Sequence, residues 1–304
     1  MSSAFAIAET EADATPRTLT KKAPSRTLRV QAFSNGHQDE VLAFLSQRPI
    51  HTVFMSGLIR DNGLVSFSNR GNFYGCRNQE GRLTGVALIG PKTVIEAGDE
   101  SALEVFANLT PYNLTAHLIR GEQQQIEYVL GKYAEAGRVP RQISRELMLE
   151  QPAAAQGVIA ESKLRLAFRE DLEAVVSINA ALGFEESGIN PLSQDGSGMW
   201  ERTARRVDQG RVWVLVEDGR MIFKADIISE TPETAFVEGV YVQPEARRKG
   251  YGLRCMTQLA RNLLTRIGSI CLVVNEDNKR AQAFYKKAGF QIRSSYKTAY
   301  FPPA

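Results

Sequence analysis

The sequence predicts an α+β protein built from two similar halves, each a mostly antiparallel, twisted mixed sheet flanked by helices. Three observations predict it. The 304 residues suit two domains of ordinary size better than one. Strand-like and helix-like apolar periods alternate along the chain. The order of first strand, helices, then hairpin also recurs about 140 positions apart, a spacing of one domain.

In order, residues 1–27 are rich in Ala, Thr, Ser and Lys, with Pro16 and Pro24, and read as a disordered tail. The first domain is expected over 28–150. Its strand at Leu28–Ala32 is followed by a helix over Asp39–Ser46, stopped by Pro49. A hairpin pairs Asn72–Arg77 with Arg82–Gly90, and Thr93–Glu96 adds a strand. A helix over Ser101–Leu109, a strand over Leu114–Ile119 and a helix over Gln124–Ala136 follow. In the strand Gln142–Glu150, Ile143, Leu147 and Leu149 share the apolar face. Residues 151–162, with Pro152 and three alanines, read as the linker.

The second domain, 163–304, restarts with a strand over Lys163–Phe168 and a helix reaching Leu182. Gly183–Gly198 reads as a long irregular loop and Met199–Gln209 as a helix. Asp218-Gly219 turns a hairpin between Val212–Glu217 and Met221–Ile228. Thr234–Val242 is a strand, 252–267 a helix, Ser269–Val274 a buried strand and Lys279–Ala288 a short helix. Phe290–Arg293 and Ser295–Tyr300 close the sheet.

Composition narrows the function. The apolar fraction of 43% is ordinary for a globular chain. The net charge of +3, from 37 basic and 34 acidic residues, is too balanced for a nucleic-acid partner. Cys76, Cys255 and Cys271 form no CxxC pair and are odd in number, which suits a reduced, cytoplasmic protein. His37, His51 and His117 show no ligand spacing, so no metal is expected. No apolar run is long enough to span a membrane, and Met1–Ala14, with Glu9, Glu11 and Asp13, does not read as a signal peptide; no membrane partner is expected.

The basic charge is clustered instead, at Arg247-Arg248-Lys249, before Gly250-Tyr251-Gly252. An apolar strand enters this turn and an amphipathic helix leaves it. Glycines let backbone N–H groups approach an anion, and the helix start adds about half a positive charge, so the stretch reads as a phosphate cradle. Upstream, Gly239 interrupts the strand, which suggests a bulge that splays it from its neighbour. Downstream, Asn278 is placed to cap the helix bearing Phe284 and Tyr285.

Arg247-x-x-Gly250-x-Gly252 followed by Asn278-x-x-Ala281-x-x-Phe284-Tyr285-x-x-x-Gly289-Phe290, with a helix and a strand between, resembles the GNAT superfamily of N-acetyltransferases over residues 163–301. The variety it resembles is the two-domain bacterial type. The first half lacks the Arg-x-x-Gly-x-Gly motif, and Arg120-Gly121-Glu122 is too short and acidic to replace it, so it is expected to be a degenerate GNAT-like domain.

The resemblance implies acetyl-CoA as cosubstrate, bound by Val240, Tyr241, Val242, Arg247, Arg248, Lys249, Gly250, Tyr251, Gly252, Asn275, Asn278 and Tyr285. It implies direct transfer to an amine in a ternary complex, with Tyr285 as general acid, Glu238 as base and the Val240 N–H as oxyanion donor. Glu185 and Glu186 are candidates to bind a cationic acceptor or to act as the base. The acceptor is a small-molecule or protein amine. The first half completes the acceptor pocket, supports a homodimer or stabilises its neighbour; the sequence leaves the three open. The alternative from another class is a catalytically silent acetyl-CoA sensor or interaction protein.

Overall fold

The computed structural model describes residues 28–152 and 163–302. The expected tail over 1–27 and residues 153–162 of the expected linker lie outside the described residues.

The first half runs β1 (Arg29–Ala32), α1 (Gln38–Leu45), α2 (Pro49–Asn62), β2 (Asn72–Arg77), β3 (Leu83–Ile89), β4 (Lys92–Ala97), α3 (Glu100–Leu109), β5 (Leu118–Glu122), α4 (Gln123–Glu135) and β6 (Gln142–Pro152). The second repeats that syntax: β7 (Arg165–Leu166), α5 (Leu172–Ser187), α6 (Pro191–Asp208), β8 (Val212–Glu217), β9 (Arg220–Glu230), β10 (Thr234–Val242), α7 (Tyr251–Leu264), β11 (Ser269–Asn275), α8 (Lys279–Lys287) and β12 (Gln291–Tyr300).

Several elements differ from expectation for physical reasons. Pro49 starts α2 rather than merely stopping α1, because proline's missing N–H costs nothing at the first helical position. β5 lies four residues beyond the expected strand start, since residues before it fold into a turn after α3. Gly183 does not end α5, which continues through Glu185 and Glu186 until Gly188, at φ 68°, adopts the left-handed cap conformation. The expected loop is therefore largely helical, with a kink at Asp195 in α6. The last two expected strands are one, β12, carrying a register shift between Ile292 and Ser294.

The described strands form one twelve-stranded sheet, in the order β1-β2-β3-β4-β5-β12-β6-β11-β10-β9-β8-β7. The two repeats are interlocked. By repeat logic β6 belongs beside β5 and β12 beside β11. Instead β12 pairs with β5, β6 pairs with β11, and the exchanged strands pair with each other. This position covers both faces of β6: Leu149, on the expected apolar face, is buried and Leu147 packs against the same core. Glu146 and Met148 are buried, whereas Ile143, expected on the apolar face, is about half exposed.

Each half has its own apolar core. In the second, α7 lays Cys255, Met256, Leu259 and Leu263 against Ile227, Val237, Ile270 and Leu272 of the sheet. In the first, Phe106 and Ile126 pack against Ile95, Ile119 and Ala299, the last contributed by β12. A smaller cluster of Val53, Met148, Phe236, Cys271 and Tyr296 joins the halves. The α2 helix lies across β9 and β10 there, close enough that a Cβ on Gly57 would stand 2.7 Å from the Ser229 side chain. Ion pairing of Arg211 with Asp61, at 2.5 Å, fixes the C-terminal end of α2 to the second half.

Candidate acetyl-CoA and acceptor site

The site is organised by β10. This strand pairs in parallel with β11 only over Thr234–Phe236, against Ser269–Cys271; beyond that the partners of β11 are on β6 alone. On its other side β10 pairs antiparallel with β9, with a register shift between Glu238 and Tyr241. The expected bulge is therefore present. Gly239, at φ 61°, is its pivot: a Cβ there would stand 2.6 Å from Lys224 Nζ. The fully buried Lys224 pairs with Asp226 at 2.9 Å and donates to the Gly239 carbonyl at 3.0 Å, pinning the bulge from below. Asn179 and Arg206 also donate to Asp226, so the buried charges are partnered.

At the splayed end, the chain turns into α7. Arg247 donates from Nε to the Val242 carbonyl at 3.0 Å, while Arg248 and Lys249 are exposed. Gly250 occupies the N-cap of α7 at φ 83° and brings no capping side chain. The first N–H groups of this fourteen-residue helix are thus left to an external anion. A Cβ on Gly252 would lie 3.1 Å from Val242 Cγ2 and 3.3 Å from Phe284, so glycine lets the helix start close against the strand. Tyr251 donates its hydroxyl to Glu217 at 2.8 Å, anchoring the turn to β8. Arg254, one helical turn on, stacks over Tyr251 at 5.0 Å and adds a cation to the cradle; its place one turn beyond the glycines is the signal for it.

Asn278 accepts from the Ala281 N–H at 2.9 Å and caps α8. Asn275 accepts from the Asp277 N–H at 2.7 Å and donates to Ser144 at 3.1 Å, so both asparagine side chains have local partners. Tyr285 packs edge-on to Phe284 and Phe290, with centroids 5.0 and 5.6 Å away. Val240, Val242, Tyr251 and Tyr285 border the same apolar cluster. Burial pushes the Tyr285 hydroxyl well above its ordinary pKa, and among the described residues nothing hydrogen-bonds to it.

Glu238 faces a different environment. It accepts from Arg120 Nη1 at 2.8 Å, and Arg120 also pairs with the buried Glu146 at 3.3 Å. Thr298 of β12 completes the group, accepting from Arg120 Nε and donating to Glu146, each at 2.8 Å. Burial alone would raise the Glu238 pKa, but Lys92 and Arg120 hold it below the usual carboxylate range. Arg120, set aside at the sequence level as an inadequate phosphate ligand, is thus the ion partner of the candidate base. No local pattern signals this, because the partner lies 118 residues away.

A cavity of about 390 Å³ opens beside this group, between the halves. Lys92, His117, Arg120 and Arg141 enter from the first half, and Glu186, Gln194 and Glu238 from the second. Glu186 is exposed at the cavity mouth, but its carboxyl lies among enough protein atoms that desolvation, then the neighbouring Glu238 charge, pushes its pKa up to about 6. Glu185 is exposed and does not border the cavity. The structure thus brings Glu186 and Glu238 together and leaves Glu185 aside. Among the described residues, no group of three or more His, Cys, Asp or Glu side chains is arranged to hold a metal, and no helix is long and apolar enough to cross a membrane.

Residues 182–290 match the model of the Acetyltransferase (GNAT) family. No curated protein matches the chain. Among solved structures, a Drosophila protein superposes with a TM-score of 0.64 at 14% identity, covering 90% of this chain and 99% of its own. A tandem GNAT protein from the clavulanic acid biosynthesis pathway superposes at 0.55, 14% identity, 91% of this chain and 100% of its own. A GNAT-family acetyltransferase from Colwellia psychrerythraea gives 0.53 at 14% identity, covering 90% and 100%. At such identities the likeness is one of fold, and the fold is that of a tandem GNAT protein.

Proposed function

Taking the GNAT-family match over residues 182–290 as premise, we propose that the second half is an acetyl-CoA-dependent N-acetyltransferase domain acting on a primary amine. The observation that carries this reading is the splayed, bulged β10 leading into an uncapped helix start behind Arg247, Arg248 and Lys249. That arrangement fits the cosubstrate: glycines 250 and 252 keep the cradle open, and α7 presents free N–H groups to a pyrophosphate. Acetyl-CoA supplies the activated acyl thioester.

The chain's own residues do the rest. Val240 and Tyr241, at the bulge, have backbone freed from the β11 ladder. The Val240 N–H is assigned to the developing oxyanion. Tyr285, protonated throughout the neutral range, is assigned the transfer of a proton to the leaving sulfur. For removal of the amine proton the geometry favours Glu186 over Glu238. Glu238 is engaged by Arg120 and is a weak base at low pKa, whereas the Glu186 carboxylate faces the cavity with a pKa near neutrality. Glu238 then holds Arg120 in place beneath the acceptor.

A free-thiol release assay with acetyl-CoA and a broad amine panel tests the reading. Turnover that collapses in Tyr285→Phe supports it. Tight acetyl-CoA binding without turnover on any amine assigns the protein to cofactor sensing instead.

A further inference from the structure

The cavity between the halves carries more charge than an amine acceptor needs. Its three strongest cations are not equivalent. Arg120 is engaged by Glu238 and Glu146. Lys92 and Arg141 are not: among the described residues, neither has a carboxylate within ion-pair distance. The Lys92 ammonium rests 3.8 Å over the Phe54 ring, and Arg141 lies 5.7 Å from the Tyr300 ring centroid. Both side chains border the cavity, as does the Glu186 carboxylate, which has no hydrogen-bond partner among the described residues.

Burial draws the Lys92 ammonium down to a pKa of about 8 in spite of the nearby Glu238, Glu146 and Glu186 charges, and Arg141 stands exposed at the cavity rim, so an incoming carboxylate would stabilise the charged Lys92 and find Arg141 open to it. A plain amine satisfies Glu186 but meets repulsion from Lys92 and Arg141. A ligand carrying a carboxylate and an amine satisfies all three. The volume suits such a molecule and is too small for a folded partner.

We propose that the acceptor is a small aminocarboxylic acid, whose carboxylate is bound by Lys92 and Arg141 of the first half and whose amine is received by Glu186 of the second. The proposal rests on the acetyl-transfer reading and names its substrate class. It gives the first half, which has no phosphate cradle, the anion-binding side of the acceptor pocket. The planar guanidinium of Arg141 suits a bidentate carboxylate contact, and Lys92 adds a point charge.

The test is isothermal titration of the full chain, with CoA present, against the standard amino acids and ω-amino acids. Each is compared with its own carboxamide and decarboxylated amine. The expected result is an acid that binds at least about tenfold more tightly than both analogues, as loss of a charge-assisted contact requires. Arg141→Met and Lys92→Met each erase that preference while retaining wild-type affinity for acetyl-CoA, which shows that they remain folded; Arg141→Lys keeps part of it. The proposal is overturned if the amides or amines bind equally well, if the preference survives in both Met variants, or if no member of the panel binds. A separate titration with acetyl-CoA alone distinguishes the two failures. Absence of acetyl-CoA binding overturns the transferase reading, whatever the aminocarboxylate result.

Discussion

Glu186 and Glu238 border one cavity and are tuned in opposite directions by their neighbours. A base works only when deprotonated. With a pKa of about 6, Glu186 loses its base function as pH falls through that value. The kcat/KM profile is therefore expected to fall on the acid side near pH 6. Glu186→Gln should lower activity by about 10²–10⁴-fold and remove that limb. An unchanged acid limb in this variant transfers the role elsewhere. Gly252→Val tests the cradle separately, since its new side chain meets Val242 and Phe284. Acetyl-CoA affinity measured by titration should fall by about tenfold or more, through displaced backbone N–H groups and lost charge-assisted bonds, with the circular dichroism spectrum retained. The cradle was legible in the sequence because its parts are contiguous: a strand, three cations and two glycines within one turn. Lys92, Arg120 and Arg141 were not, because their relevance comes from a fold that brings distant strands to one cavity.

At the scale of elements, the two halves use the same strand divergence for different ends. β4 and β5 pair in parallel at Lys92 and Thr93 and then part, as β10 and β11 do. In the second half the gap is bordered by Val240, Val242 and Tyr285. In the first, Arg48 spans it, donating to Glu96 of β4 at 3.1 Å and to Glu122 of β5 at 2.7 Å. An ion bridge occupies the place where the second half leaves backbone groups free. Removing this half-buried guanidinium in Arg48→Met should cost about 3 kcal/mol, since it strips the cation from two carboxylates. Chemical denaturation measures the loss; a change below about 0.5 kcal/mol would rank the bridge with ordinary surface pairs. Most strands and helices could be placed from periodicity, because each half-buried element repeats its pattern locally. Helix α2 could not: its start is hidden by Pro49, which serves as a stop signal and a start signal alike. The extension of α5 was obscured by Gly183, tolerated inside the helix although it reads as a breaker.

For the whole molecule, the duplicated syntax was visible in the sequence but the strand exchange was not. An apolar strand carries no label saying which of two similar sheets it completes, and β6 and β12 satisfy the same pattern in either place. The exchange makes β5 and β11 dependent on strands from the opposite repeat. Unfolding is expected to be a single cooperative transition by calorimetry, because the exchanged strands join both halves into one continuous sheet. Two resolved transitions would mean that the halves keep separate stabilities. Residues 1–152 produced alone should aggregate through the open edges of β5 and β6, and co-production with residues 153–304 should restore a soluble complex. The same exchange sets a schedule for synthesis. β5 waits for a partner that is translated almost last, roughly 175 residues later. At ribosomal rates of about 5–20 residues per second the first half stays unfinished for on the order of 10 s or longer. A nascent chain truncated before β12 can still seat β6 beside β11, but it leaves β5 without its neighbour, so the defect falls on the half that was translated first.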